Sequence, residues 1–102
     1  MTKAERQYHD RVRENGCIVC RLDLHLFSHC KIHHRLSGGR RMGEMFVLGL
    51  CPSHHRGQQN TQFVVSRDHN QKRFEARYGT EAWLQEQQDK MIAAADKLLV
   101  SG

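Results

Sequence analysis

Two short-spaced donor pairs constrain this chain more than any apolar pattern in it: Cys17-x-x-Cys20 in "CIVC" and Cys51-x-x-His54 in "CPSH". Two residues between donors let a tight turn aim both side chains at one ion. Two such turns supply three thiolates and an imidazole, a closed tetrahedral set suited to structural Zn2+. Cys30 is the spare cysteine, standing in the core or replacing His54 as the fourth donor. The competing reading is that all four are small core residues with reduced thiols. Disulfides belong to an oxidising compartment, whereas four cysteines beside eight histidines in a reducing one point to metal.

The length of 102 residues fits one domain, 1–102, whose modest core would gain from a metal clamp. No apolar run approaches the roughly 20 residues of a membrane span, and no signal-peptide pattern follows the start, so the expectation is a cytoplasmic protein without a membrane partner. Sixteen Lys and Arg against eleven acidic residues give a net charge of +5, which favours an anionic partner such as DNA. With one Trp, two Tyr and four Phe, and no aromatic strand of the RNA-reading kind, a sequence-reading RNA module is unsupported.

Residues 2–14 read as a polar helix with Thr2 as N-cap, Tyr8 and Val12 on a small apolar face, and Gly16 at its end. His9, on that helix, reads as exposed. The alternation of Leu22, Leu24 and Leu26 predicts an extended segment, and "CKIHH" a second one. His25 and His29 read as surface loop residues. "LSGGRRMG" is a glycine-rich basic loop, and "EMFVLGLC" a short buried strand. Pro52 suits the first position of a helix. Residues 68–78 form another helix with Phe74 and Tyr78 on one face and Gly79 behind it. Thr80 caps a last helix through Leu99, on which Trp83, Leu84, Met91, Ala95 and Leu98 pack inward rather than forming a dimer seam. The expected protein is therefore a monomer of compact α+β fold.

The chemistry concentrates in His33, His34 and His55. Phosphodiester hydrolysis needs a base for water and a cation for the charge that grows on phosphate and leaving oxygen. One imidazole cannot serve both, because a ligating nitrogen has given its lone pair to the metal. Adjacent histidines at a bending strand end can divide the work, and a histidine on the facing helix can close the ion site. Arg35, Arg40, Arg41 and Arg56 flank these residues and are candidate phosphate contacts, with Gly38 and Gly39 allowing close approach to a duplex. The bland reading is a solvated turn whose arginines serve solubility. Nothing resembles a base-reading helix, so little sequence specificity is expected.

"IHHR", a glycine-rich loop and "LCPSHH" resemble the HNH, or ββα-metal (His-Me finger), endonuclease motif. "CIVC", "IHHRLSGGRRMG", "LCPSHHRG" and "RFEARYG" together are similar to the small phage recombination-enhancement (Ref-type) HNH nucleases, over about residues 11–80. The resemblance implies a zinc-stabilised ββα-metal core with flanking N- and C-terminal helices. It implies His34 as general base, His33 and His55 as ligands of a catalytic Mg2+ or other divalent cation, His54 as a ligand of the structural zinc, and His69 as a further metal ligand or phosphate contact. Where the family usually has a His or Asn in the second strand, this chain has Glu44 and Met45. Glu44 offers either an acceptor for His34 Nδ1 or a carboxylate ligand for the cation.

The implied reaction is metal-dependent cleavage of DNA to 5′-phosphate and 3′-hydroxyl ends in phage or prophage recombination, on DNA paired by a recombinase filament. Only sixteen residues precede Cys17, too few for a long basic DNA-binding arm, which makes such a filament the expected partner. The alternative is a non-catalytic zinc-stabilised DNA-binding or adaptor module that keeps the knuckles and leaves His34 idle.

Overall fold

A computed structural model describes the backbone of residues 1–56 and 71–101, and the side chains of all of these except 55, 56 and 99–101. The elements are α1 (Lys3–Asn15), a π-helical turn (Cys20–Leu24), β1 (Lys31–His34), β2 (Leu36–Ser37), β3 (Arg40–Arg41), β4 (Val47–Leu50), α2 (Pro52–Arg56), α3 (Gln71–Tyr78) and α4 (Glu81–Ser101). This is an α+β arrangement of helices around two small antiparallel sheets.

α1 starts where its first residues dictate. Thr2 accepts from the Glu5 amide while the Glu5 carboxylate accepts from the Thr2 amide, a reciprocal capping box that satisfies two orphan donors. Gly16 closes the helix, its amide donating to Val12 and Arg13 carbonyls. The expected extended segment after it is absent. Residues 20–24 instead close a π turn whose cap, His25, sits in the left-handed region, and Leu24 and Leu26 are exposed. The knuckle explains the override: Cys17 and Cys20 must turn toward one centre, which a pleated strand would not allow.

β1 and β4 pair antiparallel, with Lys31 opposite Leu50, Ile32 opposite Gly49, His33 opposite Leu48 and His34 opposite Val47. Between them the basic loop forms a hairpin of its own, β2 against β3, turning through Gly38 and Gly39. Both glycines have positive φ (59° and 80°), as a two-residue hairpin turn of matching twist demands. α2 follows β4 at once, beginning at Pro52 as expected.

β4 is buried throughout, so its second edge needs partners. Gln88, fully buried on α4, supplies them. Its Oε1 accepts from the Gly49 amide at 2.8 Å, and its Nε2 donates to the Val47 carbonyl at 3.0 Å and to the Tyr8 hydroxyl at 3.2 Å. One amide side chain thus acts as a short third strand and ties α1 and α4 to the sheet. On Gly49, a Cβ would stand 2.8 Å from both Cys30 Sγ and the Gly16 carbonyl, so close backbone approach fixes that glycine.

The core gathers Ile18, Val19, Leu48, Leu50, Phe74, Tyr78 and Leu84 around the buried cysteines. α3 supplies Phe74 and Tyr78 on one face, and Gly79 ends it by donating its amide to Glu75. Residues 68–70 of the expected helix lie outside the described residues. Thr80 caps α4, accepting from the Trp83 amide at 3.2 Å. Of the apolar positions expected to pack inward from α4, Leu84 is buried, Met91 is half-buried, and Trp83, Ala95 and Leu98 are exposed. Among the described residues, the distal half of α4 meets α1 rather than the sheet, with Arg11 paired to Asp96 at 3.3 Å, and Ala95 and Leu98 stay exposed there.

Candidate functional site

Cys17 and Cys20 approach from the end of α1, Cys51 from the end of β4, and His54 from the first turn of α2; all four are buried. The Cys20 and Cys51 sulfurs are 3.8 Å apart, and His54 Nδ1 lies 3.6, 3.5 and 3.1 Å from the sulfurs of Cys17, Cys20 and Cys51. A tetrahedron with Zn–S of about 2.3 Å and Zn–N of about 2.0–2.1 Å has S···S edges of about 3.8 Å and S···N edges of about 3.5 Å. The cluster therefore has the dimensions of a zinc site and could hold such an ion.

The three thiols do not titrate alike. A hydrogen bond from Cys17, and then the nearness of His54, hold Cys51 well below the usual thiol range. The same contact and burial push Cys17 up, and burial pushes Cys20 up. His54 turns Nδ1 to the sulfurs, and Nε2 points away from them. That buried nitrogen has no hydrogen-bond partner among the described residues, and the ring stands edge-to-face with Tyr78 at 5.3 Å. Cys30 stays outside. It is half-buried against α1, with its sulfur 3.7 Å from the Val12 carbonyl, and burial raises its pKa to about 11.

The adjacent histidines of β1 separate, because successive strand residues face opposite ways. His33 is buried, with Nε2 3.3 Å from Glu81 Oε2 at the start of α4. His34 faces the other side, with Nε2 2.9 Å from Glu44 Oε2. A carboxylate can only accept, so His34 carries its proton on Nε2 and its lone pair on Nδ1. The sequence reading had Glu44 meeting Nδ1; the contact is with the other nitrogen. The hydrogen bond from His34 is the largest cause that holds the Glu44 carboxyl below its ordinary range, ahead of the charges of His34, His9 and Arg41.

His9 corrects the sequence reading outright. It is 3% exposed, with Nε2 2.7 Å from the Glu44 carbonyl and 3.5 Å from Glu44 Oε2, and its ring meets that of His34 edge-on at 6.0 Å. The signal was faint but present: Tyr8, His9 and Val12 cluster on one side of a helix that is otherwise charged, and one buried face must carry all three.

Among the candidate phosphate contacts, Arg40 and Arg41 are exposed on β3. Arg35 is committed inward, donating to Gln85 Oε1 at 2.7 Å with its guanidinium over the Phe46 ring at 5.7 Å. His55 and Arg56 lie on α2, with side chains outside the described residues, and His69 falls outside them altogether.

A family model described as recombination enhancement, RecA-dependent nuclease matches residues 1–93. The chain belongs to that family. The family description is that of a nuclease of recombination, and it ties the family to RecA. No curated protein and no solved structure gives a significant match. Among the described residues of this family member, no helix is long and apolar enough to cross a membrane.

Proposed function

We propose that this family member is a metal-dependent HNH-type endonuclease that hydrolyses DNA phosphodiester bonds with His34 as general base, acting in phage or prophage recombination. The observation that carries the reading is the His34–Glu44 pair at 2.9 Å beside the exposed arginines of β3. The carboxylate fixes the Nε2–H tautomer and leaves the Nδ1 lone pair to take a proton from water. β1, β4 and α2 would be the two strands and helix of a ββα-metal core, with the β2–β3 hairpin carried in the connection between the strands.

The rest of the assignment follows the donor chemistry. His33 and His55, with His69 as a further ligand, would hold Mg2+ or another divalent cation, which when bound neutralises charge on the phosphate and the leaving oxygen. The scissile phosphate would lie at the end of β1, where the two imidazoles diverge. Arg40, Arg41 and Arg56 would contact neighbouring phosphates, whereas Arg35 would act by holding α4 and Phe46 behind the strand. Zn2+ on Cys17, Cys20, Cys51 and His54 would fix α2 against the strands.

The test is nicking of supercoiled plasmid in Mg2+ or Mn2+, with and without a RecA filament. Wild type should cut, and His34→Ala should bind DNA while losing about 10²–10⁴ in rate, the usual share of a general base. Should wild type bind DNA and cut under none of these conditions, the protein is a zinc-stabilised binding or adaptor module instead.

A further inference from the structure

His9 has no role in the chemistry above, yet it is buried against the base. We infer that His9, His34 and Glu44 form a separate site for a borderline divalent cation such as Zn2+ or Co2+, and that filling it switches the base off. The inference rests on the reading of His34 as base, although the cation site itself stands on geometry alone.

The three donors come from three elements: α1, the end of β1, and the loop that leads into β4. One donor atom from each lies within 4.8 Å of the other two. Glu44 Oε2 is 2.9 Å from His34 Nε2 and 3.5 Å from His9 Nε2. Zinc-type bonds of about 2.0–2.2 Å to nitrogen and oxygen put neighbouring ligands about 2.9 Å apart in octahedral and about 3.4 Å apart in tetrahedral geometry. The two separations from Glu44 Oε2 are of that size, and the two imidazole donors lie within 4.8 Å of each other. The His9 side chain is 4% exposed, that of His34 19% and that of Glu44 30%. The site is thus anchored on one side and open on the other, as a two-histidine, one-carboxylate set with vacant positions would be. The Glu44 carbonyl, 2.7 Å from His9 Nε2, is a fourth donor within reach. Charge is balanced around it: Glu5, one turn before His9, and Arg41 both lie near enough to feel Glu44.

Two imidazoles make the preference for a borderline ion over Mg2+, which seeks oxygen donors and water. The consequence for His34 follows from proton counting. Neutral imidazole has one N–H and one lone pair. Without the ion, Nε2 holds the proton for Glu44 and Nδ1 holds the lone pair. With the ion on Nε2, the lone pair moves to that nitrogen and the proton to Nδ1, carried by solvent. No net proton or electron is gained or lost, and the water-activating lone pair is gone. His9 makes the same exchange as it releases the Glu44 carbonyl.

The experiment compares wild type with His9→Gln, whose side-chain amide keeps a donor for the Glu44 carbonyl. Co2+ is titrated into dialysed, zinc-loaded protein and followed by visible absorption, and Zn2+ is titrated into Mg2+-supported nicking assays. Wild type should bind one Co2+ at this site, beside any held by His33 and His55, with weak ligand-field bands and no thiolate charge-transfer band, and His9→Gln should weaken that one binding event by more than about 100-fold, beyond what loss of an outer-shell partner costs. Added Zn2+ should inhibit wild type and leave His9→Gln cutting. Circular dichroism confirms the fold of the variant; if it is unfolded, Glu44→Gln serves for the Co2+ titration and should show the same loss. Equal Co2+ binding by wild type and variant overturns the site. Equal Zn2+ inhibition, or stimulation by Zn2+, overturns the switch. A protein that never cuts but binds Co2+ through His9 refutes the base assignment and leaves the cation site standing.

Discussion

Glu44 is used twice, its carboxylate by His34 and its carbonyl by His9. The carboxylate end carries a pH signature. A carboxyl whose folded-state pKa is depressed adds stability that is fully present above its unfolded value and is lost as pH falls through the folded one. His34 depresses Glu44 in this way. The melting-temperature gap between wild type and Glu44→Gln should therefore persist from neutrality down to the ordinary carboxylate range, about pH 4.3, and shrink below it. The gap should be small, because the carboxylate is part-exposed. Melts at intervals from pH 7 to pH 3 check this, and a gap that widens on acidification would contradict the pairing. The carbonyl end is insensitive to that titration, which is why His9→Gln and Glu44→Gln should differ in their acid behaviour.

Among the elements, β4 depends on a side chain for half its hydrogen bonding. Gln88→Leu keeps the volume of the buried position and removes both partners from the Gly49 amide and the Val47 carbonyl. Each buried backbone group left unsatisfied costs about 1–3 kcal/mol, so a loss of about 2–6 kcal/mol is expected in urea unfolding, with amide exchange at Gly49 accelerated alongside it. An unchanged midpoint would show that water replaces the amide there. The same position marks the limit of reading elements from sequence. Thr2, Pro52, Gly79 and Thr80 announced their helix ends because capping is local chemistry. The His33–His34 strand was legible from pattern, but of the buried strand expected over 44–51 only Val47–Leu50 forms, with Met45 and Phe46 exposed in the turn before it. Gln88 was not legible, and His9 only faintly through its place beside Tyr8 and Val12, since their partners lie 39 and 35 residues away. The Leu22–Leu24–Leu26 alternation misled for a related reason: the demand of Cys17 and Cys20 for one centre outweighed a weak period of two.

Across the whole molecule, the knuckle pair joins what the chain separates. Cys17 and Cys20 stand where α1 ends, Cys51 and His54 where β4 gives way to α2, and both sheets lie in the sequence between them. An ion on all four donors closes that loop once, and the core packs directly on the closure, with Ile18 and Val19 inside the first knuckle and Leu50 beside the second. Structural zinc contributes on the order of 10 kcal/mol in small metallodomains, comparable to the roughly 5–15 kcal/mol that separates folded from unfolded protein. Cys17→Ser should therefore lose both the ion and the cooperative fold, whereas Cys30→Ser, outside the cluster, should keep one zinc per chain through dialysis. Metal analysis with circular dichroism distinguishes the cases. A zinc-free Cys17→Ser protein with an unaltered cooperative melt would show that the apolar contacts of Phe74, Leu48 and Leu84 suffice alone, and that the four donors meet without need of an ion. The buried Nε2 of His54, without a partner among the described residues, argues the other way: the ring is set by what Nδ1 faces, and three sulfurs converging on one nitrogen are most stable around a cation.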